Sequence, residues 1–460
     1  MPTTNNSAVS AQDDTQLEVS YAHRVVPLPP ELLSIIFLYI HHHTSDGLSA
    51  KDTSRLPLIV SHVSQLWRDV ALSIAALWTD IYISPPCSLD LLSIYLDRSG
   101  SHSLDLSILL RHHNQPTGFG DIRSVAALCS ILGPHLYRCH SISIESYGNW
   151  GARDKLLDLF SAQSFPHLQR FAIDSPYPSL MLAGSNLTEL RIRNWFSSLS
   201  GLPFKLFTDN ITVLHLDAEH LEYSLLYSLL TKCPALSTLA LYNDCTISWP
   251  TVHTPNLILL SDLHSLQLYA FSITATRMLL VSLIAPNLDD LVIAPVKQNG
   301  LRNLQYEFLD VDNKTPKFPR LKSLTMAPAT AADYNVLLAA SRCFPSVVDL
   351  TLPNMHYKPF AHLFTSGKVL WPQLRTLALR GIDRKTEELV VKMVQFRKSE
   401  GFPLDTLYLD FASLGVYVLP FLRTQLSVRE RDVWEIRRRE ALYSEFPKRF
   451  LSRKKQWELE

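Results

Sequence analysis

Residues 234–242 read PALSTLALY. Leu239 and Leu241 alternate with Ala240, so they share one face of an extended strand. Leu236, three residues earlier, turns the chain into that strand. The same L-x-x-L-x-L spacing recurs on both sides. Upstream it appears at Leu168-Phe171-Ile173, Leu187-Leu190-Ile192 and Ile211-Leu214-Leu216. Downstream it appears at Leu263-Leu266-Leu268, Leu288-Leu291-Ile293, Leu321-Leu324-Met326, Val347-Leu350-Leu352, Leu374-Leu377-Leu379 and Leu404-Leu407-Leu409. Pro or Asn commonly stands just before the first apolar residue. Looser copies lie at Trp78-Ile81-Ile83, around Leu104 and Leu106, and at Cys139-Ile142-Ile144.

First positions of the clear copies are 19 to 33 residues apart. A fixed internal pattern with variable spacing is the signature of leucine-rich repeats with irregular return segments. Helical patterns at 221–232, 277–284, 333–341 and 384–399 fill several returns. No single repeat can bury both its strand face and its return face, so neighbours must stack into one continuous core. The expected fold class is α/β: a small N-terminal helical unit followed by a solenoid of parallel strands on a concave face, with helices and loops on the convex face.

The N-terminal stretch follows a different period. Residues 28–40 read LPPELLSIIFLYI. Pro29 and Pro30 suit a helix start, because they fix φ and need no backbone donor there. Glu31 complements the helix dipole in the first turn. Leu32, Leu33, Ile36, Phe37 and Ile40 fall at helical spacing. A polar spacer with three consecutive histidines (His41 to His43) precedes a second helical pattern, in which Pro57 leads into Ile59, Val63, Leu66, Trp67 and Val70. Ser73 is expected to cap a short third helix carrying Leu77 and Trp78. So small a core needs a neighbour to cover it.

The order Leu28, Pro29, Glu31, Leu32, Leu33, Ile36, Phe37, then Val60, Val63, Trp67, Arg68 and Ala71, resembles the F-box. The polar insert and the ALW-x-x-I ending are similar to the large F-box family of mushroom-forming fungi. Ser64, Gln65 and Leu66 depart from the Cys and basic residues common at those places. The resemblance implies that Leu28, Pro29, Glu31, Leu32, Leu33, Ile36, Phe37, Val60, Val63 and Trp67 bind an SKP-family adaptor and, through it, a cullin. The array would then hold a protein substrate, making the chain the substrate-recognition subunit of an SCF-type ubiquitin ligase. The alternative is a leucine-rich interaction scaffold that directs no ubiquitin transfer, its helices serving as an N-terminal cap.

Composition narrows the class. The 43 basic and 43 acidic residues balance, which argues against nucleic-acid binding by bulk electrostatics. The six cysteines are scattered without metal-ligand or disulfide spacing, and buried free thiols suit a reducing compartment. No apolar run reaches the roughly 20 residues of a membrane helix. A cytoplasmic or nuclear protein without cofactor or metal is expected. The domain boundaries read as a polar leader at 1–24, the helical unit at 25–80, the solenoid at 81–426 and a charged cap or tail at 427–460. That tail interleaves Arg437-Arg438-Arg439 and Arg453-Lys454-Lys455 with acidic residues, as a polar end cap would.

Recognisable catalytic constellations are missing: no glycine phosphate loop, H-E-x-x-H, G-x-S-x-G or C-x-x-C occurs. The chain is therefore not expected to be an enzyme. Binding falls to the strand residues that point away from the core. Tyr242 and Tyr269 occupy equivalent places in adjacent repeats, with Asp217 and Arg193 continuing the column and Gln267 to one side. Aromatic residues and Arg are common interface anchors, so these five form the expected target site, with Arg380, Tyr408 and Asp410 as the far-end reserve.

Overall fold

The computed structural model describes residues 28–44, 50–84, 88–111, 122–147, 150–174, 182, 186–192, 209–217, 222–242, 257–269, 273–294, 317–326, 334–353, 369–380, 384–409 and 418–430. Three helices come first: α1 (Pro30–Thr44), α2 (Ala50–Ser61) and α3 (Gln65–Ser73). A 3-10 turn, Ala75–Trp78, leads into the first strand.

The strands are β1 (Asp80–Ile83), β2 (Leu104–Arg111), β3 (Cys139–Tyr147), β4 (Arg170–Ile173), β5 (Glu189–Ile192), β6 (Val213–Asp217), β7 (Thr238–Tyr242), β8 (Ile258–Leu259), β9 (Ser265–Tyr269), β10 (Leu283–Ile284), β11 (Asp290–Ala294), β12 (Ser323–Met326), β13 (Asp349–Pro353), β14 (Thr376–Arg380), β15 (Thr406–Leu409) and β16 (Ser427–Glu430). All but β8 and β10 form one 14-stranded sheet in unbroken chain order, β1 to β16, and every pairing is parallel. The two short strands β8 and β10 pair separately. Each copy of the leucine pattern therefore supplies one strand, and the looser copies supply β1, β2 and β3. The sheet also runs four residues past the expected end of the array, because Ser427–Glu430 pairs with Thr406–Leu409.

Returns between strands carry α4 (Leu89–Arg98), α5 (Ile122–Leu132), α6 (Trp150–Ser161), α7 (Tyr223–Leu230), α8 (Ile273–Ser282), α9 (Tyr334–Cys343), α10 (Arg384–Ser399) and α11 (Val418–Gln425). Their buried residues, such as Leu226, Leu279, Leu337 and Met393, join Leu239, Leu266, Leu324 and Leu377 of the strands in a single continuous core. Leu33, Phe37 and Trp78 of the N-terminal helices belong to the same core.

The recurring Pro has a local reason. Leu168, Leu236, Leu288, Leu321, Val347 and Leu374 each donate their N–H to the carbonyl three residues back, closing a turn. Pro166, Pro234, Pro286, Pro319, Pro345 and Pro372 occupy the second place of those turns, where their fixed φ fits. The recurring Asn has a different one: Asn186 Nδ2 donates to the Pro166 carbonyl and Asn287 Nδ2 to the Ser261 carbonyl, tying each turn to the one before. Ahead of each strand the ladder gains a rung, as where His264 N–H reaches the Ser237 carbonyl at 2.8 Å.

Two buried arginines hold backbone that the ladders leave open. Arg138 donates to the carbonyls of Leu96 and His102 and to the Ser99 hydroxyl. Arg397 donates to the carbonyls of Leu370, Trp371 and Leu374. Trp371 has a positive φ of 48°, a conformation unfavourable for a bulky residue, and its carbonyl is one of those that Arg397 gathers. Burial, then Arg375, lowers the Arg397 guanidinium to about 10, so it stays charged at neutral pH.

The N-terminal helices depart from the expectation in four ways. Pro57 does not precede the second helix but sits inside α2, which begins at Ala50. The second apolar pattern is two helices, because Ser64 caps α3 by accepting the Trp67 N–H at 3.2 Å. Ser73 closes α3 rather than opening the next turn, its hydroxyl donating to the Val70 carbonyl. The spacer also shrinks, since α1 runs through His41 to Thr44 and His41 is buried. No helix among the described residues is long and apolar enough to cross a membrane.

Candidate interaction surfaces

The apolar residues of α1 divide between two faces. Leu33 and Phe37 are buried, and Phe37 packs against Trp67 of α3 with ring centroids 5.1 Å apart. Val60 of α2 is buried with them. Leu28, Leu32, Ile35, Ile36 and Tyr39 point outward, Ile35 and Tyr39 being 62% and 64% exposed. Their offsets of four, seven, eight and eleven residues from Leu28 place them on one side of the helix. Ile59 and Val63, at and beyond the end of α2, are exposed as well. Pro29 and Glu31 are exposed at the start of α1, and Trp67 is half-buried.

The ten residues expected to bind an adaptor therefore do two jobs. Leu33, Phe37, Val60 and part of Trp67 build the unit's own core. Leu28, Pro29, Glu31, Leu32, Ile36 and Val63 remain available. The sequence reading missed Ile35, Tyr39 and Ile59. The signal was the near-continuous apolar run from Leu32 to Ile40: a helix apolar on more than one side has more than one neighbour to meet.

This unit is seated firmly on the array. Trp78 Nε1 donates to the Ala71 carbonyl at 3.0 Å, and its ring meets Tyr95 edge-on. The Tyr95 hydroxyl donates to the Ser54 carbonyl at 2.6 Å, while the Ser54 hydroxyl accepts the Tyr82 N–H. Arg98 lies over the Trp78 ring at 4.4 Å. His41 Nε2 stands 3.8 Å from Asp80.

On the outer strand face the expected target site is corrected. Tyr242 and Tyr269 are aligned in register, as anticipated, but they are 6% and 2% exposed. Their rings stack at 5.0 Å, His215 stacks on Tyr242 at 6.1 Å, and His215 Nδ1 lies 3.0 Å from the Tyr242 hydroxyl. The Tyr269 hydroxyl donates to Gln267 Oε1. Ala240 and Val292 complete a small second core with the tyrosines. Asp217 is buried too, and Gln267 is half-buried. These residues are packing groups rather than an exposed anchor. Arg193 lies outside the described residues, as does Asp410.

The accessible parts of the outer face lie to either side. Towards the helical unit, Arg170 Nη2 donates to Asp105 Oδ2 at 3.1 Å and His140 Nδ1 contacts Asp105 Oδ1 at 3.2 Å. Towards the far end, Asp349 and Arg429 are exposed, and Thr325, Thr351, Thr376, Thr406 and Tyr408 are half-buried. Among the described thiols, burial pushes Cys139 and Cys233 up to about 12 and Cys343 up to about 11, which disfavours the reactive thiolate in these three. Among the described residues no group of three or more His, Cys, Asp or Glu is arranged to hold a metal ion.

By its fold the chain is an α/β protein built on one large parallel sheet laid down in chain order. No protein-family model matches the chain, and no curated protein matches it.

Proposed function

We propose that the chain is a substrate receptor of an SCF-type ubiquitin ligase, an F-box unit carrying a leucine-rich array. One observation carries the reading. Seven of the fifteen exposed large hydrophobics among the described residues lie between Leu28 and Val63. Isolated exposed apolar residues are ordinary, but a concentration on one short unit marks a binding face. The helices resembling the F-box thus retain apolar residues beyond those their own core uses. The adaptor would cover that side, and the array would hold a target beside the transferring enzyme, raising its effective concentration. Leu28, Pro29, Leu32, Ile36 and Val63 are the adaptor contacts in this reading, joined by Ile35, Tyr39 and Ile59.

The scaffold alternative draws on the seating of the helical unit through Trp78, Tyr95 and Ser54, which is what a cap requires. Co-purification separates the two. Leu32→Ser with Ile36→Ser should abolish capture of the SKP-family adaptor while leaving the melting temperature unchanged. A folded double variant that still captures the adaptor as the parent does would overturn the receptor reading.

A further inference from the structure

We propose that the seat of the helical unit on the sheet is a proton-operated latch, in which Asp80 of β1, between His41 of α1 and Asp105 of β2, takes up a proton on mild acidification and tightens the junction. The inference holds whether or not the exposed helical face docks an adaptor.

The geometry sets two carboxylates on paired places of neighbouring strands. Asp80 and Asp105 are register partners across β1 and β2, one strand spacing apart. Asp105 is partly neutralised by Arg170 of β4 at 3.1 Å, and His140 Nδ1 of β3 lies 3.2 Å from its other carboxylate oxygen. Asp80 is the more enclosed of the two, its side chain 21% exposed against 40% for Asp105. The groups facing it from α1 are His41, at 3.8 Å and buried, and beyond it His42. From α2 the junction is met by the Ser54 hydroxyl, and from α4 by Tyr95 and Arg98. No lysine or arginine contact offsets the Asp80 charge as Arg170 offsets that of Asp105 among the described ion pairs.

Burial, and then the Asp105 charge, push the Asp80 carboxyl up to about 6, with Arg170 pulling the other way. The folded chain thus holds this proton more tightly than the unfolded chain does. Stability from Asp80 is fully present below its ordinary carboxylate range and is lost as pH rises through about 6. His41 works in the opposite sense. Burial and His42 lower it, against Asp105, so its contribution is lost as pH falls below the ordinary imidazole range. Protonation of Asp80 relieves the repulsion between the two carboxylates, while burial and His42 disfavour a cation on His41.

Hydrogen exchange of the full chain tests this, with rates corrected for their intrinsic pH dependence. Amides of α1 and β1 should be more protected at about pH 5.5 than at about pH 7.5. In Asp80→Asn, which keeps the shape without the charge, they should be protected at both. Equal parental protection at the two pH values overturns the latch, as does an unchanged pH dependence in the variant. If the variant fails to fold, the parent alone decides through the Asp80 carboxyl signal: a midpoint near 6 supports the latch, and one at about 4, the ordinary value, overturns it.

Discussion

Tyr242 and Tyr269 stack with their ring planes 14° apart, on adjacent parallel strands and on the side of the sheet away from the main core. The sheet thus has buried packing on both faces at its centre, leucine on the inner and tyrosine on the outer. A binding face cannot coincide with this place unless the packing opens. Tyr242→Ala or Tyr269→Ala should therefore cost about 3–5 kcal/mol, as large-to-small changes at buried aromatics do. Tyr242→Phe, which keeps the ring and removes the hydroxyl that meets His215, should cost about 1 kcal/mol. Denaturant unfolding measures all three, and a Tyr269→Ala variant as stable as the parent would show that the stack is not packed.

Phe37 and Ile36 are neighbours with opposite duties. Phe37→Ala should destabilise the helical unit by about 3–5 kcal/mol, whereas Ile36→Ala should leave unfolding within about 0.5 kcal/mol of the parent. Limited proteolysis of residues 28–78 reads the difference. Equal protease sensitivity in the two variants would mean that the faces of α1 are assigned the wrong way round.

Strand register can be tested away from the tyrosines. Leu350 is buried in the main core, whereas Thr351 is half-buried on the other face. Leu350→Asp should cost several kcal/mol through an unpaired buried charge, and Thr351→Ser should be nearly silent. A thermal melt that cannot tell them apart would refute the register. Ala240 is unsuitable as the silent control, because it is fully buried beside the tyrosine stack.

Arg397 should behave as a structural cation. Arg397→Met keeps much of the buried volume but leaves the carbonyls of Leu370, Trp371 and Leu374 without this donor. The cost should be at least about 1.5–3 kcal/mol, centred on β14 and β15. Hydrogen exchange localises the loss, and undiminished protection in Thr376–Arg380 would count against the role.

Cys139, Cys233 and Cys343 are buried thiols whose protonated form burial favours. The thiolate is the reactive form, so these three should resist a thiol reagent at about pH 8 in the native protein and react fully in denaturant. Peptide mapping after labelling gives the answer, and rapid native modification of Cys139 would place that residue outside the core.

The strand array was legible in residues such as Leu236, Leu239 and Leu241 because the information is local. Alternation fixes which strand residues share a face, and a stacked array only has to repeat that choice. The same local logic made Pro234 a turn residue and placed Tyr242 in register with Tyr269. The binding surfaces depend on contacts between distant parts of the chain. Tyr242 stands at an outward position by sequence, yet it is buried. Along α1 every apolar side chain reads alike, and only the packing of Trp67 on Phe37 separates Phe37 from Ile36. Arg397 and Asp80 look like ordinary surface charges in the sequence. Their roles arise where Arg397 meets carbonyls 23 to 27 residues away and where β1 lays Asp80 beside Asp105. Local periodicity specifies backbone pairing, but burial of any one side chain is set by whichever element the fold brings over it.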